Sequence, residues 1–303
     1  MMHEAGSMHH DPKRKVLQTT RSIQDLATGL GRSSEEIVNI IQHGKEKLLA
    51  ARRKRVMPFI DRTLYTSLNG MLASAFFHAH AVLGNEEVRA FAVQSLERIL
   101  KERVKNGLLM HVEDIPAVLD DYVHLIDALI AAYESTAEER YLGLAEEFMV
   151  GCLAKFTDRG EGGFYDTDSD VLGTRLKRIE DVPHASANAV AIMVLLKLSH
   201  MTGKEEYLLV AEKSLSLFSS LASEMSVHAG SYLCALDAYY RMVKLGVEAA
   251  SSSELAGAAR ALSGRRYTAI VYGKDRGRVI PCRRNTCLDP VSDPEQVRAI
   301  GDV

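Results

Sequence analysis

No apolar run in this chain reaches the roughly 18 residues that a membrane-spanning helix needs, and the opening MMHEAGSMHHDPKRK lacks the apolar stretch of a signal peptide. The expected compartment is the cytoplasm, with no membrane partner. Charge of one sign is lacking too. A net charge of -3 and a pI near 6.4 give no basic field for nucleic acid, which drops out as a partner. Four cysteines, Cys152, Cys234, Cys282 and Cys287, are too few for a disulfide scaffold in a chain this long, and two of them sit in apolar helical patterns; reduced thiols are the simplest expectation. A Gly-rich phosphate loop, a P-loop and a serine elbow are all missing, so nucleotide chemistry has no support and no cofactor is expected. What remains, 303 residues with 47% hydrophobic and 25% charged, is an ordinary globular composition able to bury one large core or two modest ones.

The first residues hold His3, His9 and His10, which together can bind metal but at a chain end read as a frayed terminus; no metal site is expected. Helical patterning begins at Ser33, where Glu36 three residues later makes a capping box. That helix ends in KEKLLAARRKR, a basic turn suited to the negative end of the helix dipole, with a phosphate-binding patch as the alternative.

Beyond Pro58 the chain repeats. Aligned on the small residue that ends a helix (Gly84, Ala137, Gly203, Gly246), four long helices come into register: LYTSLNGMLASAFFHAHAVLG, LDDYVHLIDALIAAYESTA, ASANAVAIMVLLKLSHMTG and HAGSYLCALDAYYRMVKLG. Each is apolar on more than one face, which predicts burial. Three are followed after a tight turn by a more amphipathic helix, and Ala92, Ala145 and Ala211 then align without gaps, as do Val88, Tyr141 and Tyr207. The unit is a hairpin of one inner and one outer helix. Turns from inner to outer helix are short, whereas the return links, 105–118 and 157–184, are long. In an antiparallel array those links gather where every inner helix has its N-terminus, so they surround one mouth.

Fifteen residues before each alignment point stand Asn69, Tyr122, Asn188 and Ser231, with Ser67, Asp120 and Ser186 two positions earlier in three repeats. Capping explains Ser67, Asp120 and Ser186 without further function. Asn69 and Asn188 fall inside the first turn, where a polar side chain on a buried helix needs a partner, and a shared wet cavity would supply one. The links add Asp114, Asp166, Lys177, Asp181 and His184. In EGGFYDTDSD, Gly162 and Gly163 read as a turn, and Phe164 and Tyr165 are either stacking faces for a sugar ring or plugs in the core.

At these residues the chain resembles the C-terminal part of the YyaL/spermatogenesis-associated protein 20 family, over about Lys15 to Ile300. The resemblance is carried by EKLLAARRKRVMPFIDRTLYTSLNG, LDDYVHLIDALIAAYE, GGFYDT, DVPHASANAVAIMVLLKL and, most specifically, CRRNTCLDPVSDPEQV. Departures are local: the family usually has Asp-Asp-Lys at Ile60, Asp61, Arg62, Trp-Asn-Gly at Leu68, Asn69, Gly70, and Pro-Ser-Gly-Asn-Ser at Ala185 to Ala189. Family members combine a thioredoxin-like domain with an (α/α)6 toroid similar to N-acylglucosamine 2-epimerases and six-hairpin glycosidases. Against that pattern the thioredoxin-like domain and the first hairpins have no counterpart in this chain.

The fold class that follows is all-α, a partial (α/α)6 toroid, six-hairpin glycosidase-like, of about four helical hairpins. Residues 1–60 would form an N-terminal arm and helix, 61–262 the toroid, and 263–303 a short strand and Cys-containing segment with Cys282 and Cys287 either reduced or a structural pair. The resemblance implies a carbohydrate-related cavity with the reaction unassigned. Acid/base work on a sugar would fall to Asp121 and Asp181 as carboxylates and His184 as proton shuttle. Arg62, Asn69, Asp120, Tyr122, Phe164, Asp166, Lys177, Ser186 and Asn188 are the candidate binding residues. The alternative is a non-catalytic binding or assembly module. Inner helices with apolar flanks at the ends of an incomplete ring also predict a homo-oligomer, or a partner chain supplying the missing toroid half.

Overall fold

The computed structural model describes residues 2–8, 11–170, 173–264, 267–284 and 286–300, with the backbone alone up to residue 18. Two compact units are present, Met1–Arg62 and Thr63–Val303. In the first, β1 (Met2–Met8) pairs antiparallel with β2 (Asp11–Thr19) where a frayed terminus was expected. His9 and His10 lie outside the described residues, as does the side chain of His3. Helices α1 (Ile23–Leu30) and α2 (Ser34–Arg53) follow. The Ser33/Glu36 box closes in both directions, with Glu36 N donating to Ser33 Oγ at 3.1 Å and Ser33 N to Glu36 at 2.9 Å. Leu26, Ala27 and Ile37 form the small core of this unit, with Ile41 packed against them.

The second unit is a partial α/α toroid built from the expected hairpins. Inner helices α3 (Thr66–Leu83), α5 (Leu119–Thr136) and α7 (Ala187–Thr202) each turn tightly into an outer helix, α4 (Glu86–Arg103), α6 (Glu139–Phe156) and α8 (Glu205–Met225). The turns are made by Gly84, Ala137 and Gly203 at φ 66°, 62° and 75°, the left-handed conformation that lets a helix end return its N–H to the last turn. Neighbouring inner helices pack side by side, α3 on α5, α5 on α7, and α7 on α9 (Gly230–Arg241). Contact between α3 and α5 is closest at Gly70, where an added Cβ would stand 2.9 Å from the His124 carbonyl oxygen. On the outer helices the aligned Ala92, Ala145 and Ala211 are fully buried.

The links are structured. The first carries a small sheet of β3 (Val104–Lys105), β4 (Leu108–Val112) and β5 (Ile115–Pro116). In the second, Gly162 and Gly163 turn the chain at φ 95° and 70° and bring Phe164 back to bridge Thr157.

One helix ends earlier than its pattern suggests. The fourth inner helix, expected to run to Gly246, stops at Arg241, and β6 (Val243–Glu248) takes over. Burial there alternates strictly, Val243, Leu245 and Val247 inward, which is strand period rather than helix period. β6 is the centre of a four-stranded sheet, parallel to β7 (Thr268–Tyr272) and antiparallel to β8 (Arg278–Arg283), which pairs in turn with β9 (Thr286–Cys287). Helices α10 (Glu254–Leu262) and α11 (Pro294–Ala299) pack against each other beside it.

Cys282 and Cys287 stand directly opposite across β8 and β9 and form a disulfide, correcting the expectation of reduced thiols. Strand pairing supplies the proximity that sequence spacing leaves open. Cys152, buried, and Cys234, exposed, are free thiols. The sheet docks on the C-terminal end of α5. There Glu134 forms a buried ion pair with Lys197 of α7 at 2.9 Å while its other oxygen accepts from Ile270 N at 3.1 Å.

Candidate functional site

The N-termini of the inner helices meet at one rim, and carboxylates tie them in pairs. Asp121, fully buried on α5, accepts from Ser67 N of α3 at 2.9 Å and from Val118 N at 3.0 Å, and both its oxygens lie within 3.0 Å of His111 Nδ1 on β4. Asp181 does the same for the other pair, accepting from Ser186 N before α7 at 2.9 Å and from Ser231 N on α9 at 2.7 Å. Both residues expected to be catalytic carboxylates are therefore committed to holding backbone in place.

Between the two pairs lies a cleft of about 220 Å³ lined by Asp120, Asp166, Arg178, Glu180, His184 and Ser186. A rotation of about 100° per residue puts Asp120 on this side while Asp121 faces α3. One oxygen of Asp120, Oδ1, is buried without a hydrogen-bond partner in the protein, and so is Nε2 of His124, one turn further along α5 and 3.9 Å away. The His184 ring stands edge-on to His124 with centroids 5.9 Å apart. Its Nδ1 lies 3.0 Å from the Ala185 carbonyl, so Nδ1 carries a proton that it donates there, and Nε2 is the ring nitrogen left for another partner. Asp166 is anchored by Arg178 at 2.6 Å.

Burial raises the Asp120 carboxyl above its ordinary value against the pull of His184, with Asp121 and Asp166 pushing the same way as burial. Burial likewise pushes His124 down to about 4, opposed by Asp127 and helped by His184. A carboxyl that resists ionising thus stands beside an enclosed imidazole that resists protonation. The two have the ligand types, with His184, to hold a metal ion.

The other predicted residues sit elsewhere. Tyr122 is buried with its ring edge-on to Phe148 and Phe156. Phe164 is fully buried in the core and offers no stacking face. Asn69 donates to Tyr65 O, and Asn188, also fully buried, pins the second link through Phe164 N, Phe164 O and Arg178 O. Lys177 is tied to Asp158 and Glu161 within that link. Ser186 caps α7 through Ala189 N while lining the cleft. Arg62 is exposed at the end of the first unit. Of the twelve candidates the cleft gathers Asp120, Asp166, His184 and Ser186.

The chain is similar to spermatogenesis-associated protein 20. It is 26% identical to the human protein over 247 residues, 73% of this chain and 31% of that one. With an uncharacterised Caenorhabditis elegans protein it shares 30% identity over 215 residues, 66% of this chain and 29% of the relative. The chain thus spans about three-tenths of the length of the curated relatives it matches. No family model matches. Among solved structures, a GH76 α-mannanase from Bacteroides thetaiotaomicron aligns with TM-score 0.48 and 16% identity over 68% of this chain and 60% of that chain. The cellobiose 2-epimerase of Bacillus thermoamylovorans aligns with TM-score 0.43 and 14% identity over 53% and 46%. Neither bears on the site.

Sequence reasoning missed His124, His111, Arg178 and Glu180. His124 did carry a signal, a histidine four residues after Asp120 with apolar neighbours on either side. His111 had none, since only the fold lays its strand, β4, over its partner Asp121 on α5.

Proposed function

We propose that the rim cleft binds a carbohydrate or a similar polyhydroxylated small molecule, with the reaction left unassigned. The supporting observation is a cleft lined by the carboxylates of Asp120, Asp166 and Glu180 together with Arg178, where one oxygen of Asp120 is buried and has no partner. Hydroxyl groups donate and accept at once, and a mixed set of carboxylate acceptors and guanidinium donors is what they need. At about 220 Å³ the cleft falls below the range of about 300–1,000 Å³ for drug-sized pockets and suits a single ring. The motif resemblance to a family with a glycosidase- and epimerase-like toroid points the same way. Titration with mono- and disaccharides tests the reading: a ligand specific to the folded form raises the melting temperature by the equivalent of about 2.7 kcal/mol at a hundredfold excess over Kd. Asp120→Asn should abolish the rise. No shift with any sugar overturns the reading.

A second reading, self-association through α3, is supported by its exposed apolar stripe of Leu68, Leu72, Ala75 and Val82 at helical spacing. The occupant proposed is a second copy of the chain. Light scattering on a size-exclusion column distinguishes it, because a monomer at every concentration removes it.

A further inference from the structure

We infer that Asp120, His124 and His184 form a binding site for a divalent transition-metal ion of the zinc class. Each side chain offers one donor atom, and the three atoms lie within 4.8 Å of one another. His124 is enclosed, with 7% of its side chain exposed. Its Nε2 has no hydrogen-bond partner and lies 3.9 Å from the equally unpartnered Oδ1 of Asp120. Buried polar atoms rarely stay unsatisfied, since each costs about 1–3 kcal/mol. Two such atoms 3.9 Å apart, on residues one turn apart on one helix, call for a shared partner.

His184 is prepared for the same task. Its Nδ1 is engaged by the Ala185 carbonyl at 3.0 Å, which fixes the ring and leaves Nε2 as the donor, the outer arrangement that metal-ligating histidines use. Two imidazoles and one carboxylate select an ion that accepts nitrogen, and disfavour magnesium and calcium, which demand oxygen. Donors around zinc stand about 3.4 Å apart at bond lengths near 2.1 Å, so Asp120 and His184, both partly exposed, close by about 1 Å onto the enclosed His124. Three protein ligands leave coordination open on the cleft side, where Asp166 and Glu180 add negative charge and Arg178, paired with Asp166, opposes it.

The site does not depend on the sugar reading, although it shares the cleft. The test uses the full chain, stripped with chelator and titrated without sugar, comparing the native protein with Asp120→Ala and His184→Ala. Both substitutions are at partly exposed positions, and the histidines of the first ten residues are present in every form, so their contribution cancels. Calorimetry with Zn²⁺ should find one more equivalent bound by the native protein than by either variant, and Co²⁺ should give a visible absorption band that both variants lose. Mg²⁺ and Ca²⁺ should not displace either ion. Equal stoichiometry and equal spectra in all three proteins overturn the site, and displacement by Mg²⁺ or Ca²⁺ overturns the ion class. If zinc fails while the stripped protein still binds sugar, only the metal site is lost; zinc binding without sugar binding sinks the other reading alone.

Discussion

Asp121 accepts from His111 Nδ1 at 2.9 Å from a fully buried position, so the carboxylate at the start of α5 orients a histidine on β4 and joins two helix ends. Its neighbour Asp120 has no such commitment at Oδ1. Adjacent carboxylates have opposite duties here because a helix sends consecutive side chains to different faces.

The two should separate cleanly on mutation. Asp121→Ala strands Ser67 N, Val118 N and His111 and is expected to cost about 3 kcal/mol or more. Asp120→Asn, at a partly exposed carboxyl with one unpartnered oxygen, should leave stability unchanged or slightly raised. Urea denaturation of both variants decides it, and equal losses would contradict the division of roles.

Glycines should respond with opposite signs. Gly70→Ala pushes a methyl group to 2.9 Å from the His124 carbonyl oxygen, and backbone cannot step aside, so a loss of about 1–3 kcal/mol is expected. Gly143, exposed within α6 and with open space around its Cβ position, should gain about 0.5–1 kcal/mol as alanine. Thermal melts of the two variants give the comparison.

Lys197→Ala leaves the Glu134 charge buried at the junction of α5, α7 and β7 and should cost about 3–5 kcal/mol. Burial opposes the charge on Lys197, but Glu134 and Asp127 hold its pKa above the ordinary value, so Lys197 keeps its charge in the folded protein. Replacing both partners by Leu and Met should cost less than the single change. A double-mutant cycle by chemical denaturation would show otherwise if the two losses merely add.

The second link sets a pH dependence. Lys177 above all, then Glu161 N and the Tyr165 hydroxyl, hold Asp158 well below the carboxylate range. A depressed carboxyl stabilises the fold above its unfolded value, near 3.9, and that contribution is lost as pH falls through the folded value. The melting-temperature gap between the native protein and Asp158→Asn should thus be present at pH 7 and close as pH drops below about 4. A gap that is constant with pH refutes the assignment.

Much of the architecture is legible in the chain. Helix period, the small residues at Gly84, Ala137 and Gly203, and the gapless alignment of Ala92, Ala145 and Ala211 are local, repeated signals, and they give hairpins, register and a common rim. Gly246 failed as a fourth alignment point because a strand-period run follows α9 directly, and the pairing that stabilises β6 comes from β7 and β8, later in the chain.

The sequence by itself determined the inner and outer helices, since each is specified by contacts within a few residues and by its own apolar pattern. Only the tertiary structure decided the site. Whether a polar side chain faces a cleft, a neighbouring helix or the core depends on rotation about the helix axis and on partners far away: His184 stands beside His124, sixty residues earlier, while Tyr122 and Asn188 turn inward. Those choices are made when helices pack, because packing determines which polar atoms find a partner and which are left facing the cleft.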